Sequence, residues 1–210
     1  MQRVLLTFSV VLALWLAVDP ARVEAEELGS KGNLVFSAER LFGVYFDHLT
    51  VEETNTVDRK FDTTVIGLGW SSAAVDAPLL TPRLGIDYFL GNAFTLGGSI
   101  GFLSFSRNDY TTTTFLLSFR AGYALRLGHS VSLWPRAGFS YYNSSYENSN
   151  ADTNTFAITI DAPFAFALTE GFALTLGPVI DLGFIGERAD SDATETMFGL
   201  SFGLAGWTNL

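Results

Sequence analysis

Six charged residues occur within segments that otherwise consist of apolar and small side chains: Arg83, Asp87, Arg120, Arg136, Asp161 and Asp181. They alternate in phase with small residues such as glycine and out of phase with large apolar ones, so they belong to one face of extended segments. Three arginines and three aspartates balance, and a narrow interior favours that balance because unpaired buried charge is costly. The pattern fits either a gated ion path or a salt-bridged core. We favour the salt-bridged core, a network that plugs the interior.

Signals for catalysis are sparse. The chain has two histidines, His48 beside Asp47 and His129 in a tight turn, and it has no cysteine. A lipid-hydrolysing enzyme would need one histidine beside a serine and an acidic or polar partner, and the spacing predicts no such group. We therefore do not expect an enzyme, and lipid modification through His48 or His129 is the third alternative for function.

No cofactor or metal site is predicted. The sequence has no His/Cys cluster, no EF-hand loop and no glycine motif that cradles phosphate at the start of a helix. Asp190, Asp192 and Glu195 could hold Ca²⁺ loosely, but we interpret them as a solvated acidic loop. The net charge of −10 argues against a nucleic-acid partner, which requires a basic surface.

The charged residues must be positioned by β-strands, and residues 172–184 show the pattern best. Large apolar side chains alternate with small or polar ones along this segment, which is the two-residue period of a strand. Its apolar face has the length that a tilted strand needs to cross a bilayer, about 9–11 residues. The same alternation predicts nine candidate strands: 33–50, 61–71, 80–90, 94–106, 112–126, 131–145, 154–168, 172–186 and 195–208.

The apolar faces of the clear strands carry no charge, as in Pro82, Leu84, Ile86, Tyr88 and Leu90. An Arg or Lys on a lipid-facing surface at mid-bilayer would cost about 2–4 kcal/mol. A soluble β-sandwich also alternates, but its polar face meets water, where a glycine-rich surface with so few lysines makes little sense. Hydrophobic residues make up 48% of the chain and the mean hydropathy is +0.28, values that a lipid-facing barrel explains.

The connections are of two kinds, and outer-membrane barrels pair short periplasmic turns with longer extracellular loops. We therefore predict that the acidic loops lie outside the cell. The tight turns, which contain glycine, are 90–93, 127–130 and 169–171, and the polar, mostly longer loops are 107–111, 146–153 and 187–194.

Nine strands conflict with the even numbers of bacterial barrels. We favour eight strands, from 61–71 through 195–208, with 33–50 left over as an extra element inside or under the barrel. Ten strands are the alternative if 33–50 is a strand and 61–79 hides a further crossing. A wrong assignment among the middle segments is the third explanation.

The first 25 residues have the form of a secretory signal peptide. Arg3 precedes an apolar run over 4–18, which is short for a membrane span of about 20 residues, and 23–25 fits a small-x-small cleavage site. We predict cleavage after Ala25, with residues 26–210 forming one barrel domain. The absence of cysteine means that no disulfide framework is expected in the exported chain.

Residues 81–102 and 120–125, with the repeats at 134–139 and 176–184, resemble the small outer-membrane β-barrel superfamily of Gram-negative bacteria. The resemblance covers about residues 30–210. Residues 39–43 resemble, more weakly, an uncharacterised proteobacterial branch. The resemblance implies a barrel that the insertion machinery recognises through an aromatic residue at the end of the last strand. Here the candidate is Trp207, three residues before the end, and no functional residue can be carried over.

The sequence therefore predicts an all-β protein, a transmembrane antiparallel up-and-down β-barrel in the cell outer membrane. The expected role is structural or surface-interacting, with acidic loops on a plugged barrel, and the alternative is a small porin-like pore for ions or solutes. The expected partners are outer-membrane lipid, the barrel-insertion machinery and a surface partner at loops 107–111, 146–153 and 187–194.

Overall fold

The computed structural model describes residues 27–52, 58–68, 78–107, 110–146, 152–188 and 191–210. Backbone hydrogen bonds join its strands into one antiparallel sheet. The sheet closes into a barrel because the last strand pairs with both the first strand and the one before it. The strands are β1 Asn33–Val51, β2 Arg59–Leu68, β3 Arg83–Phe89, β4 Phe94–Arg107, β5 Tyr110–Tyr123, β6 Leu125–Arg126, β7 Val131–Leu133, β8 Arg136–Tyr146, β9 Thr153–Asp161, β10 Phe164–Thr169, β11 Phe172–Arg188 and β12 Ser191–Asn209.

These strands make eight crossings of the barrel wall, because four crossings are built from two strands in tandem. In three of these crossings the second strand continues the first after a short interruption. The three pairs are β5 with β6, β7 with β8, and β9 with β10. The predicted eight-stranded antiparallel barrel is therefore confirmed. Its membership differs from the prediction, because 33–50 is not an extra element but the first crossing, β1.

The fourth tandem pair, β2 and β3, explains the odd count. β2 pairs with 42–51 of β1 and β3 pairs with 34–39 of β1, so the two strands share one place in the wall. Between them a 3₁₀ turn, Pro78–Leu80, lies inside the barrel, where Leu79 and Leu80 are buried. The prediction that 61–71 and 80–90 are separate crossings is wrong. Both halves keep the two-residue period, so alternation alone could not reveal that they belong to one crossing.

The tight turns at 90–93, 127–130 and 169–171 share one end of the barrel, here called the turn end. The opposite end is called the loop end. There the predicted loop 187–194 is largely strand, because Glu187 pairs with Asp192 and Arg188 pairs with Ser191. The predicted loop 107–111 is also shorter, since β4 ends at Arg107 and β5 begins at Tyr110. Ladder hydrogen bonds continue beyond the apolar part of these strands, so polar composition alone misplaced the loop boundaries.

Large apolar side chains cover the outside of the barrel. Phe119 and Phe139 are 67% and 63% exposed, and Leu84, Ile86 and Tyr88 of β3 also face outward. Pro82 is an exception to the predicted face, because it is buried where the chain returns from the inner turn to the wall. Across the described ranges, no helix is both long and apolar enough to cross a membrane.

Candidate functional site

The barrel interior is the candidate site, and its side chains are stacked in three layers. Buried apolar residues at the turn end surround Trp134, and a second buried apolar cluster at the loop end contains Tyr142, Leu79 and Leu116. Between them lies a layer of buried charged residues. The alternation of each strand produces this arrangement, since every second side chain must enter a space that an eight-stranded barrel leaves just wide enough for side chains.

The structure places all six predicted charged residues in this middle layer, and each forms an ion pair. The Nε of Arg120 donates to Asp87 at 2.9 Å, and the Nε of Arg136 donates to Asp161 at 2.7 Å. The Nη2 of Arg83 lies 3.7 Å from Asp181. The residues that the sequence assigned to one face therefore pair with one another. Arg136 and Asp161 pair across the neighbouring strands β8 and β9, and the other two pairs join strands that are not consecutive.

Glu39 joins two of these pairs and was not among the predicted residues. Its carboxylate lies 2.7 Å from a guanidinium nitrogen of Arg120 and 2.8 Å from one of Arg136. Ser37 also donates to Glu39 at 2.8 Å. One carboxylate thus bridges two arginines, whose like charges would otherwise repel each other.

Arg40 is the second residue that the sequence did not predict. Its φ is 57°, a left-handed conformation that is uncommon outside glycine, and β1 bulges here against β12. The bulge turns the side chain inward, where Nη2 lies 2.6 Å from Asp181 and Nη1 donates to the Leu79 carbonyl. The sequence did contain an indication of this position, because Arg40 is a charged residue among the alternate positions of strand 33–50 that are otherwise mostly apolar. With Glu39 and Arg40 the layer has four arginines and four carboxylates.

Two glycines create the space that the arginines occupy. A Cβ at Gly85 would lie 2.6 Å from the Nη2 of Arg120, and one at Gly122 would lie 2.8 Å from the Cγ of Arg136. Both distances are too short for a real contact, so any larger residue would displace the arginine side chains. The glycines interleaved with the charges are thus a requirement of the ion-pair layer.

Aromatic rings bound the charged layer on both sides. The guanidinium of Arg136 lies 4.6 Å from the ring centre of Trp134, and that of Arg83 lies 5.5 Å from that of Tyr142. Two cavities found next to the charged layer have volumes of about 10 and 30 Å³, and a buried water requires about 10–15 Å³. In the described part of the chain, the layer can therefore hold a few waters but no solute.

The two histidines lie apart from this interior. His48 faces outward, and its Nδ1 is 2.6 Å from Asp62, the residue directly opposite on β2. Its Nε2 is 3.4 Å from the hydroxyl of Thr50. The predicted neighbour Asp47 faces inward and is not its partner, because adjacent residues in a strand point to opposite sides. His129 is exposed in its turn.

The two predicted acidic loop residues that the structure describes, Asp192 and Glu195, do not converge. Asp190 lies outside the described residues, Asp192 is exposed, and Glu195 is buried on the inner face beside Asp47. Phe46 on β1 and Phe198 on β12 are the large apolar outward-facing residues nearest the loop end of their strands. Asp47 and Glu195 both lie closer to the loop end than these phenylalanines. Burial raises the pKa of Asp47 to about 6, and burial together with the Asp47 carboxylate raises the pKa of Glu195 well above its usual value. Among the residues that the structure describes, no three potential metal ligands of the His, Cys, Asp or Glu type form a group.

Comparison with known proteins yields similarities of fold. No family model matches the sequence, and no curated protein matches it. The structure is similar to neisserial surface protein A, with 13% identity, a TM-score of 0.49, and coverage of 85% of this chain and 98% of that one.

Two further solved structures are similar in the same way. The N-terminal β-barrel domain of OprF from Pseudomonas aeruginosa has 15% identity, a TM-score of 0.42, and coverage of 82% of this chain and 98% of that one. Ail, the attachment invasion locus protein of Yersinia pestis, has 14% identity, a TM-score of 0.38, and coverage of 82% and 99%. These similarities concern the fold alone.

Proposed function

We propose that the protein is an integral outer-membrane β-barrel that acts as a structural or surface-interacting scaffold and does not conduct. The observation that carries this proposal is the inversion of the usual globular pattern. Ion pairs fill the centre of the barrel, and large apolar side chains cover its outside. A soluble protein would place these groups the other way round, whereas a lipid-embedded barrel requires this distribution.

The dimensions of the apolar surface support a membrane location. On β4 the outward residues from Phe94 to Phe102 are apolar or glycine and include Leu96 and Ile100, which are 47% and 55% exposed. Eight residue steps of about 3.3 Å, tilted by about 40°, cover about 20 Å along the barrel axis. Outer-membrane barrels carry an apolar band about 25 Å tall, so this surface approaches the expected height.

Export and insertion complete the proposal. Residues 1–25 serve as the signal peptide, and residues 26–210 form the barrel domain in contact with outer-membrane lipid. Trp207 is the candidate signal for the insertion machinery. Its side chain is buried in the turn-end layer of the folded barrel, so the insertion machinery would have to recognise Trp207 before the barrel closes.

The layered interior favours a scaffold function rather than a pore function. An ion crossing the barrel would have to displace the apolar turn-end layer, the paired charges and the apolar loop-end layer in turn. With its interior filled, the protein has its free surface at the loop end, where loops 107–111, 146–153 and 187–194 were predicted. We propose that a surface partner binds there and that the barrel holds these segments at the cell surface.

The experiment has three parts, which measure gel mobility, conductance and partner binding. The mature protein, folded in detergent, should migrate differently in a gel before and after boiling, and it should show no single-channel steps in a planar bilayer. A chain that stays soluble and monomeric without detergent would overturn the membrane proposal. Stepwise conductance that changes in Arg120→Ala would support the pore instead. Deletion of residues 147–151 should abolish partner binding while heat-modifiable mobility remains.

One observation favours a second function, hydrolysis of lipid esters. Thr50, His48 and Asp62 stand in line on the outer wall, in the order of a nucleophile, a base and an orienting acid. The His48 and Asp62 side chains are 48% and 84% exposed, which is unlike the sheltered setting of most such groups. Release of fatty acid from outer-membrane lipid, lost in His48→Ala, would support the enzyme, and its absence in the wild type would eliminate it.

A further inference from the structure

The second crossing of the barrel has a free edge at the loop end. β2 is hydrogen-bonded to β1 along its whole length, and in the described part of the chain it has no second neighbouring strand. β4 pairs with β3 only as far as Gly101, so residues 102–107 of β4 are bonded to β5 alone. Among the described residues, the ladder around the wall is therefore interrupted by a gap between β2 and residues 102–107.

Side-chain exposure shows the same opening. Leu49 of β1 and Phe61 of β2 are opposite each other on the inner face, yet Leu49 is 8% exposed and Phe61 is 42% exposed. Val65 on β2 and Phe105 on β4 are only partly buried against the apolar cluster of the loop end. Apolar surface on the inner side of the wall is thus left uncovered on both sides of the gap.

The edge of β2 lacks most of the features that protect a free strand. Natural proteins blunt such edges with charges, proline or a β-bulge. Lys60 and Asp62 supply charges toward the loop end, but residues 63–66 (Thr-Thr-Val-Ile) contain neither charge nor proline, and the ladder with β1 has no bulge. Residues 102–106 of β4 are uncharged as well. Two uncharged edges, built of residues that favour strands, thus offer unpaired backbone groups to a further strand.

The position of the gap determines what can enter it. A free edge binds an extended chain through main-chain hydrogen bonds, and alternate side chains of that chain give specificity. A second barrel could present only a strand of its own wall, whereas this gap lies within a wall and admits a single chain. The inward side chains of that chain would cover Phe61, Val65 and Phe105, and its outward ones would lie beside the exposed Asp62 and Ser104. An extended peptide in which apolar and polar residues alternate fits these surroundings.

We propose that the barrel binds an extended peptide segment of a partner protein, which adds as a strand to β2 in the gap beside β4. The affinity comes from main-chain hydrogen bonds together with burial of the inward apolar side chains. The site lies in the wall and is separate from loop 146–153, which connects β8 to β9. The proposal therefore goes beyond the scaffold function and does not depend on it.

Fluorescence anisotropy with the mature protein folded in detergent tests the proposal. The probe is a labelled pool of peptides of about ten residues, the length of β2, that alternate Val, Ile or Phe with Ser, Thr or Lys. The pool should bind saturably. A second pool with the same side chains, N-methylated at every backbone nitrogen, should bind at least tenfold more weakly, because it has no N–H groups to complete the ladder.

A cross-link across the gap supplies a matched pair of variants. The chain has no cysteine, so Ile66→Cys with Ser104→Cys introduces two exposed thiols, one on each side of the gap. Bridging them with a short bifunctional maleimide should weaken peptide binding at least tenfold. Thr113→Cys with Ser145→Cys is the control, because these residues are directly opposite each other on the paired strands β5 and β8. Its bridge should leave peptide binding unchanged.

Several outcomes would overturn the proposal. They are a wild type that binds no peptide saturably, an N-methylated pool that binds equally well, and a bridged gap that binds as the unbridged protein does. A dimer in detergent that is lost when the gap is bridged would show that a second copy is the occupant.

Deuterium exchange of the wild type gives a measurement that needs no variant. The amides of residues 60–68 should exchange more slowly when the peptide pool is bound, because half of the strand's N–H groups gain a partner. Unchanged exchange in this segment would place the peptide elsewhere and contradict the proposal. Since all these measurements are made in detergent, failure of the proposed scaffold function would leave their result unaffected.

Discussion

Glu39 and Arg40 are adjacent in the chain, yet both side chains point into the barrel, because β1 bulges between Ala38 and Phe42. Glu39 follows Val35 and Ser37 in the inward phase of the strand, and the bulge turns Arg40 inward beside it, so an acid and a base enter the layer side by side and the layer stays balanced. Glu39 bridges Arg120 and Arg136, while Arg40 pairs with Asp181. One local irregularity therefore connects β1 to both halves of the charged layer.

Replacing Glu39 should be among the most destabilising changes in the charged layer. Glu39→Gln removes the negative charge that separates Arg120 from Arg136, whose guanidinium groups are buried. Breaking a buried ion pair from one side costs about 3–5 kcal/mol, because the partner charge is left uncompensated. Unfolding by guanidinium chloride in lipid vesicles, followed by gel mobility, measures the loss of unfolding free energy.

The matched control is Glu27→Gln. Glu27 also pairs with an arginine, Arg126, but both side chains are about half exposed, and exposed pairs contribute about 0–1 kcal/mol. If the two substitutions had equal effects, the layer would contribute no more than a surface pair, and its proposed role as the barrel core would be wrong.

The Arg40–Asp181 pair should show strong coupling in a double-mutant cycle. Arg40→Met leaves Asp181 with only Arg83, whose nitrogen is 3.7 Å away, and with the hydroxyl of Thr159. We expect it to lower the unfolding free energy by about 3 kcal/mol. Adding Asp181→Asn should recover at least about 1 kcal/mol, since residues in direct contact couple by about 0.5–3 kcal/mol. Strictly additive effects would show that the two groups do not interact in the folded protein.

The sequence predicted the wall of the barrel well, because its signal is local. Alternation over residues 172–184 depends only on the direction of successive side chains, and the inward positions of Arg120 and Asp181 follow from the same period. Tight glycine-containing turns at 90–93 and 127–130 were placed correctly for a similar reason, since turn chemistry involves few residues.

The features that the sequence missed depend on pairing between distant segments. Arg40 turns inward only because the bulge forms against β12, and the inner position of Leu79 follows only from β2 and β3 sharing one neighbour. Neither relationship leaves a periodic signal in the chain. The paired burial of Asp47 and Glu195 likewise requires the closure of β1 on β12, which a single-strand pattern does not contain.

A methyl group at Gly85 should disrupt the charged layer. The added Cβ of Gly85→Ala would lie 2.6 Å from the Nη2 of Arg120 and 3.2 Å from a carboxylate oxygen of Glu39. Those groups are held by their own ion pairs, so overpacking should cost about 1–3 kcal/mol of unfolding free energy. Gly91→Ala is the control, because a Cβ there meets no atom within 4 Å, and it should leave the chemical unfolding midpoint in vesicles unchanged. Equal midpoints for the two variants would mean that the layer can shift to accept the methyl group.

The outward face of β5 gives a direct test of the membrane location. Phe119 is 67% exposed near the middle of its strand, so in a bilayer its side chain would lie among acyl chains. Phe119→Arg should then destabilise the barrel folded in lipid vesicles by about 2–4 kcal/mol, because the cost of an arginine on the lipid face is greatest at the midplane. Leu127 is 58% exposed but lies beside a turn at the turn end, so Leu127→Arg should cost about 0–1 kcal/mol. The ratio of folded to unfolded protein in guanidinium titrations of both variants gives the difference. In a soluble barrel the two exposed positions would be equivalent, and arginine at Phe119 would be tolerated as well as arginine at Leu127.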